Sequence, residues 1–140
     1  MDNYKLSNAA KEFAVTLVEE TLERNASKEV AELIEKFSPL AACKELCTVS
    51  VRLPRRCGNS TIANELGRRG WLNTITIVPN ISSKISIKYG KFVETWDTYK
   101  ERAGCSINVV IIDISSMISK QKLDDIYNTF GPSKVYLLVG

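Results

Sequence analysis

Val49-Ser-Val-Arg-Leu-Pro-Arg-Arg-Cys-Gly-Asn-Ser-Thr61 has the order of a phosphate-binding loop: a short apolar strand, a basic turn, a glycine, then two hydroxyl residues opening a helix. Val49, Val51 and Leu53 supply the strand, Gly58 the close backbone approach, and Ser60 and Thr61 the hydroxyls, Ser60 being the one assigned to the Mg²⁺ side. The general pattern G-x-x-x-x-G-K-S/T has a lysine where this chain has Asn59 and its first glycine where this chain has Leu53. The bland alternative is an ordinary turn at Gly58-Asn59-Ser60.

The flanks extend the pattern. After Thr61, the residues Ile62, Ala63 and Leu66 share one helical face, with Gly70 as the expected stop. About forty residues on, Ile107-Asn-Val-Val-Ile-Ile-Asp113 is an apolar run closed by an aspartate, as expected of a strand buried on both faces that delivers a carboxylate to a Mg²⁺ site. Asp113 joins Ser60 on that metal side; otherwise it is a strand-end residue or a helix cap.

The stretch Pro54-Arg-Arg-Cys-Gly-Asn-Ser-Thr61 resembles the arginine-bearing phosphate loop of viral and phage terminase large subunits, the DNA-packaging ATPases, whose loops read P-R-R-x-G-K-T/S without the first glycine. Thr74-Ile-Thr-Ile-Val-Pro-Asn-Ile-Ser-Ser83 is similar to the strand and proline turn that follow in that family and in related helicases. The likeness spans residues 47–140. It implies a P-loop NTPase-like three-layer sandwich that binds ATP or ADP with Mg²⁺ through Pro54, Arg55, Arg56, Cys57, Gly58, Asn59, Ser60, Thr61 and Asp113. Two departures bear on chemistry: Asn59 replaces the lysine, and Ile114 follows Asp113 where these motors carry the glutamate that activates water. The expectation is therefore a degenerate, truncated form with weak hydrolysis or none, Arg55 or Arg56 substituting for the lysine. A lysine restored at position 59 is expected to tighten ATP binding about tenfold if the loop keeps its phosphate geometry.

The rest of the chain fits an α/β class. Residues 73–78 read as a strand, 82–101 as a helical stretch with Ile85, Tyr89, Phe92, Trp96 and Tyr99 on one side, 120–130 as a helix, and 134–139 as a strand. Alternating strands and helices predict a mostly parallel sheet of about four strands. Aromatic residues at that spacing are expected in the core rather than stacked on bases. Residues 1–45 read as an N-terminal helical cap on a minimal core at 46–140, the whole a single compact domain. Two amphipathic helices are expected there, one carrying Ala10, Phe13, Ala14, Leu17, Val18 and Leu22, the other Val30, Leu33, Ile34 and Phe37 before Ser38-Pro39. Packing of their apolar stripes on the chain's own core is favoured over a partner.

Composition sets outer bounds. The chain has 140 residues, 44% apolar and 25% charged, enough for one core. No apolar run approaches the roughly 20 residues that cross a bilayer, so no membrane association and a cytoplasmic location are expected, host cytoplasm if the protein is phage-encoded. Cys43, Cys47, Cys57 and Cys105 are expected as reduced thiols, their spacing lacking the paired C-x-x-C knuckles of zinc sites. Without histidine there is no Ser-His or Cys-His dyad.

Charge is divided along the chain. Residues 1–45 hold nine acidic and six basic side chains, and residues 46–140 seven acidic and thirteen basic, so the positive potential belongs to the second segment. Five of the seven arginines, Arg52, Arg55, Arg56, Arg68 and Arg69, fall within eighteen residues, a concentration suited to phosphate. Three functions follow: a nucleotide-binding module, a pseudo-ATPase turned into an interaction or inhibitory module for a motor, helicase or defence protein, and a small nucleic-acid binder.

Overall fold

The computed structural model describes residues 3–54, 58–68, 73–80, 93–132 and 134–140. Three helices come first: α1 (Asn3–Ala26), α2 (Lys28–Lys36) and α3 (Pro39–Leu46). Then follow β1 (Thr48–Val51), α4 (Asn59–Gly67), β2 (Thr74–Val78), β3 (Val93–Thr95), a 3₁₀ turn at Tyr99–Arg102, β4 (Val109–Asp113), a 3₁₀ turn at Ser115–Met117, α5 (Lys120–Phe130) and β5 (Val135–Val139). The five strands form one sheet in the order β1-β5-β4-β2-β3, every pair parallel.

Strand alternation explains why both faces are covered. In β4, Val109 and Ile111 join α1 (Ala14, Val15, Val18) and α4 (Ile62, Ala63, Leu66) in one apolar cluster. Val110 and Ile112 point the other way, into a cluster with Cys43 and Cys47 around α3 and with Ile126, Tyr127 and Phe130 of α5. All five residues of β4 are buried, as the uninterrupted apolar run requires of a central parallel strand. Each fully buried Ile or Val side chain contributes about 1.5–3 kcal/mol. Helix α1 thus shares its face of the sheet with α4.

Several expectations change. The sheet has five strands rather than about four, because Val93–Thr95, inside the stretch read as helix, pairs with β2. Two β-branched residues favour the pleat there. The buried Glu94 between them is satisfied locally: its carboxylate accepts from Arg102 Nε at 2.8 Å and from the Thr98 hydroxyl at 2.9 Å. Of that stretch, Ile85, Tyr89 and Phe92 lie outside the described residues, Trp96 packs against the core, and Tyr99 is buried with its hydroxyl on Asp125. Ser38-Pro39 opens a third N-terminal helix instead of only ending the second: Ser38 Oγ accepts from Ala41 N and Pro39 occupies the first turn, where its missing N–H costs nothing. The expected stop at Gly70 lies outside the described residues; α4 ends at Gly67. Helix α2 buries none of its residues fully and leaves Leu33 and Phe37 about 40% exposed, so its apolar stripe meets the core only in part. No helix among the described residues is long and apolar enough to cross a membrane.

The α3–α5 layer is sealed by its own polar groups. Thr48 Oγ1 lies 2.8 Å from the Tyr127 hydroxyl, the Tyr136 hydroxyl donates to the Gly131 carbonyl at 2.6 Å, and the Cys47 thiol donates to the Pro132 carbonyl at 3.0 Å. Burial pushes the Cys47 thiol up to about 11, with the neighbouring Cys43 adding to the rise and Arg24 opposing it. Cys43 and Tyr136 are likewise pushed up, chiefly by burial. Cys43, Cys47 and Cys105 are all free thiols.

Candidate phosphate-binding cleft

Parallel strands all end at the same edge of the sheet, and the chain leaves those ends in different directions. From β1 it passes to α4 on one face; from β4 it passes to α5 on the other. Strand β5 lies between them, so the two departing segments part above its C-terminal end. A crevice at such a switch point is where ligands bind in open parallel sheets. A cleft of about 910 Å³ opens there. It is lined by Arg52, Leu53 and the start of α4 (Gly58, Asn59, Ser60, Thr61), and by Ile114, Ser116, Met117 and Gly140 from the ends of β4 and β5.

The start of α4 is built on Gly58. Its φ of +100° is a left-handed conformation that favours glycine, and a Cβ there would stand 2.9 Å from Ser7 Cβ. Ser7, buried in α1, therefore backs directly onto the loop. Glycine offers no side chain to cap the helix, and no side-chain cap is made. Among the described residues no side chain caps the first N–H groups of α4, which face a ligand or water with the positive end of the helix behind them.

Asn59, in the wall of the cleft, commits its amide to the loop backbone. Its Oδ1 accepts from Leu53 N at 2.8 Å and its Nδ2 donates to Leu53 O at 3.1 Å, a reciprocal bracket across the loop. Ser60 and Asp113, fifty-three residues apart, meet: Ser60 Oγ lies 3.4 Å from Asp113 Oδ1. That separation is long for an O–H···O hydrogen bond. Neighbouring ligands of octahedral Mg²⁺, bound at 2.0–2.1 Å, stand about 3 Å apart. The two oxygens are nevertheless near enough for both to approach one ion. Asp113 is buried and also accepts from Ile114 N at 2.9 Å. Pro54 is exposed at the loop's start and Thr61 is exposed on the first turn, while Arg55, Arg56 and Cys57 lie outside the described residues.

Three features of the site escape sequence reasoning. Ile114 adopts φ +54°, ψ +46°, a left-handed conformation that a β-branched residue rarely holds and that costs on the order of 1–2 kcal/mol. Gly140, at φ +84°, accepts from Ser116 N at 2.8 Å and Ser115 Oγ at 2.7 Å while its own N–H donates to Val51 O at 2.9 Å, tying the ends of β1, β4 and β5 together. Arg52 reaches the cleft, although only its membership of an arginine cluster marks it in the sequence. Among the described lining residues there is no carboxylate placed to act as a base, Ile114 holding the position after Asp113. Compared with family models, with curated proteins and with solved structures, the chain matches none of them.

Proposed function

We infer that the protein has a P-loop NTPase-like fold, similar to the ATP-binding part of terminase motors, and binds ATP or ADP with Mg²⁺ in this cleft, hydrolysing it weakly or not at all. The observation that carries the reading is the uncapped start of α4 opening into the cleft beside the Ser60–Asp113 pair. The helix N-terminus supplies donors for phosphate oxygens. Ser60 and Asp113 would hold the ion, which when bound would screen the phosphate charge. The missing base follows from Ile114: without a carboxylate to orient water, binding and turnover are uncoupled.

Thermal melting tests it. Linkage predicts stabilisation of about 2.7 kcal/mol when MgADP or MgATP reaches a hundred times its dissociation constant. No change in melting temperature at millimolar nucleotide ends the reading.

A second reading, a pseudo-ATPase serving as an interaction or inhibitory module, is favoured by one observation: Met117 on the cleft rim is 72% exposed, and Leu6 and Phe13 on α1 are also exposed. Solvent-facing apolar groups, one of them on the cleft rim, suit a protein surface. A melting temperature indifferent to nucleotide, with Met117→Ser abolishing capture of a motor or helicase partner, would favour it over the first.

A further inference from the structure

We propose that Asn59 is the latch of the loop and Arg52 the cation that its anionic ligand meets. The inference rests on the nucleotide reading and assigns the charge that this reading lacks. A lysine at position 59 would carry an ammonium to the phosphates, but the Asn59 amide is committed on both its atoms to the Leu53 backbone, at 2.8 and 3.1 Å. An amide paired in this way copies a strand-to-strand hydrogen-bond pair, holding the segment that follows β1 against the first turn of α4. It also consumes the Leu53 N–H, so the phosphate must be met by donors nearer the helix and by a separate cation.

Arg52 is placed for that role. It follows β1 directly, lines the cleft together with Ile114 and Gly140, is exposed, and has no ion-pair partner among the described residues. The strand fixes its backbone: Val51 is paired with Val139, and the Val51 carbonyl holds Gly140 N. Its planar guanidinium can take two phosphate oxygens at once. The two residues divide between them what a single lysine does elsewhere, Asn59 supplying loop shape and Arg52 supplying charge. A further consequence concerns Asn59→Lys: the lysine cannot reproduce the bracket, so the exchange opens the loop rather than restoring affinity.

The test is titration calorimetry of the full chain with Mg²⁺–tripolyphosphate and with MgADP, alongside melting of the free protein and amide exchange at Leu53. Arg52→Gln should weaken both ligands about tenfold or more, the loss of one charge-assisted contact, with the free protein's melting temperature unchanged; Arg52→Lys should recover part of the affinity. Asn59→Ala and Asn59→Lys should both lower the melting temperature, speed exchange at Leu53 and weaken binding. Asn59→Asp, which keeps the acceptor for Leu53 N–H, should restore the protection of that amide. Wild-type affinity in Arg52→Gln overturns the assignment of charge while leaving the nucleotide reading in place. Tighter binding by Asn59→Lys with Leu53 still protected overturns the latch. If the wild type binds neither ligand, the nucleotide reading itself falls and Arg52's role with it.

Discussion

Two strand-to-helix junctions leave the same edge of the sheet on either side of β5, and they are finished differently. Between β4 and α5 the chain makes a 3₁₀ turn and then caps its helix with Ser119, whose Oγ accepts from Lys122 N at 3.1 Å. Between β1 and α4 the helix starts on a left-handed glycine with no cap. Ser27 and Ser38 cap α2 and α3 in the same way as Ser119 caps α5. Where the purpose of a junction is only to turn the chain, a serine satisfies the first donors from within. At the cleft no side chain among the described residues caps the helix, so its first donors face a ligand or water instead.

The sharpest way to break the comparison is Gly58→Ala. The new methyl group meets Ser7 Cβ and the backbone must leave its preferred left-handed form, so a loss of about 2–4 kcal/mol is expected in urea unfolding, together with loss of nucleotide binding. A cost below 1 kcal/mol would mean that the loop is not held against α1. The sealed α3–α5 layer gives the opposite control, because its titration should be blind to ligand. Cys47 has a folded value raised from 9.0 to about 11, so its thiol keeps its proton in the folded protein after losing it in the unfolded chain. Its contribution is complete below about 9, falls as pH rises through that window, and is gone above about 11. Alkaline melting should show this decline with and without MgADP, and Cys47→Ala should reduce it.

Smaller effects sharpen the contrast at the two helix starts. Ser119→Ala should cost about 1 kcal/mol and leave nucleotide affinity untouched, since that cap serves only its own helix. Ile114→Asn replaces a β-branched residue by one that tolerates the left-handed region and should stabilise the protein by up to about 1 kcal/mol. Destabilisation by Ile114→Asn would show that the half-buried side chain matters more than the backbone conformation.

How much of this could be read from the sequence depended on how local the cause was. The apolar run ending in Asp113, the helix at 120–130 and the closing strand follow from periodicity and end signals, and the structure has them as β4, α5 and β5. Strand β3 was hidden because three residues carry little periodic signal and its pairing with β2 is a tertiary event. The start of α3 was legible in Ser38-Pro39, but the same dipeptide also serves as a stop. At the site, Gly58, Ser60 and Asp113 stand out by residue type and spacing. The turning of the Asn59 amide onto Leu53, the left-handed Ile114 and the position of Arg52 depend on how three strand ends come together, and no short pattern encodes that.

Ser7 and Gly58 share the room of a single side chain. Because the two Cβ positions would lie 2.9 Å apart, the sequence can enlarge one of them only by emptying the other, and position 58 is already empty. The first turns of α1 therefore belong to the loop before α4 in a sense that chain order conceals, fifty-one positions away. For anyone designing variants or trimming this protein, Ser7 is part of the loop's foundation, and a shortened chain that starts after it would lose the support of a loop it never reaches in sequence.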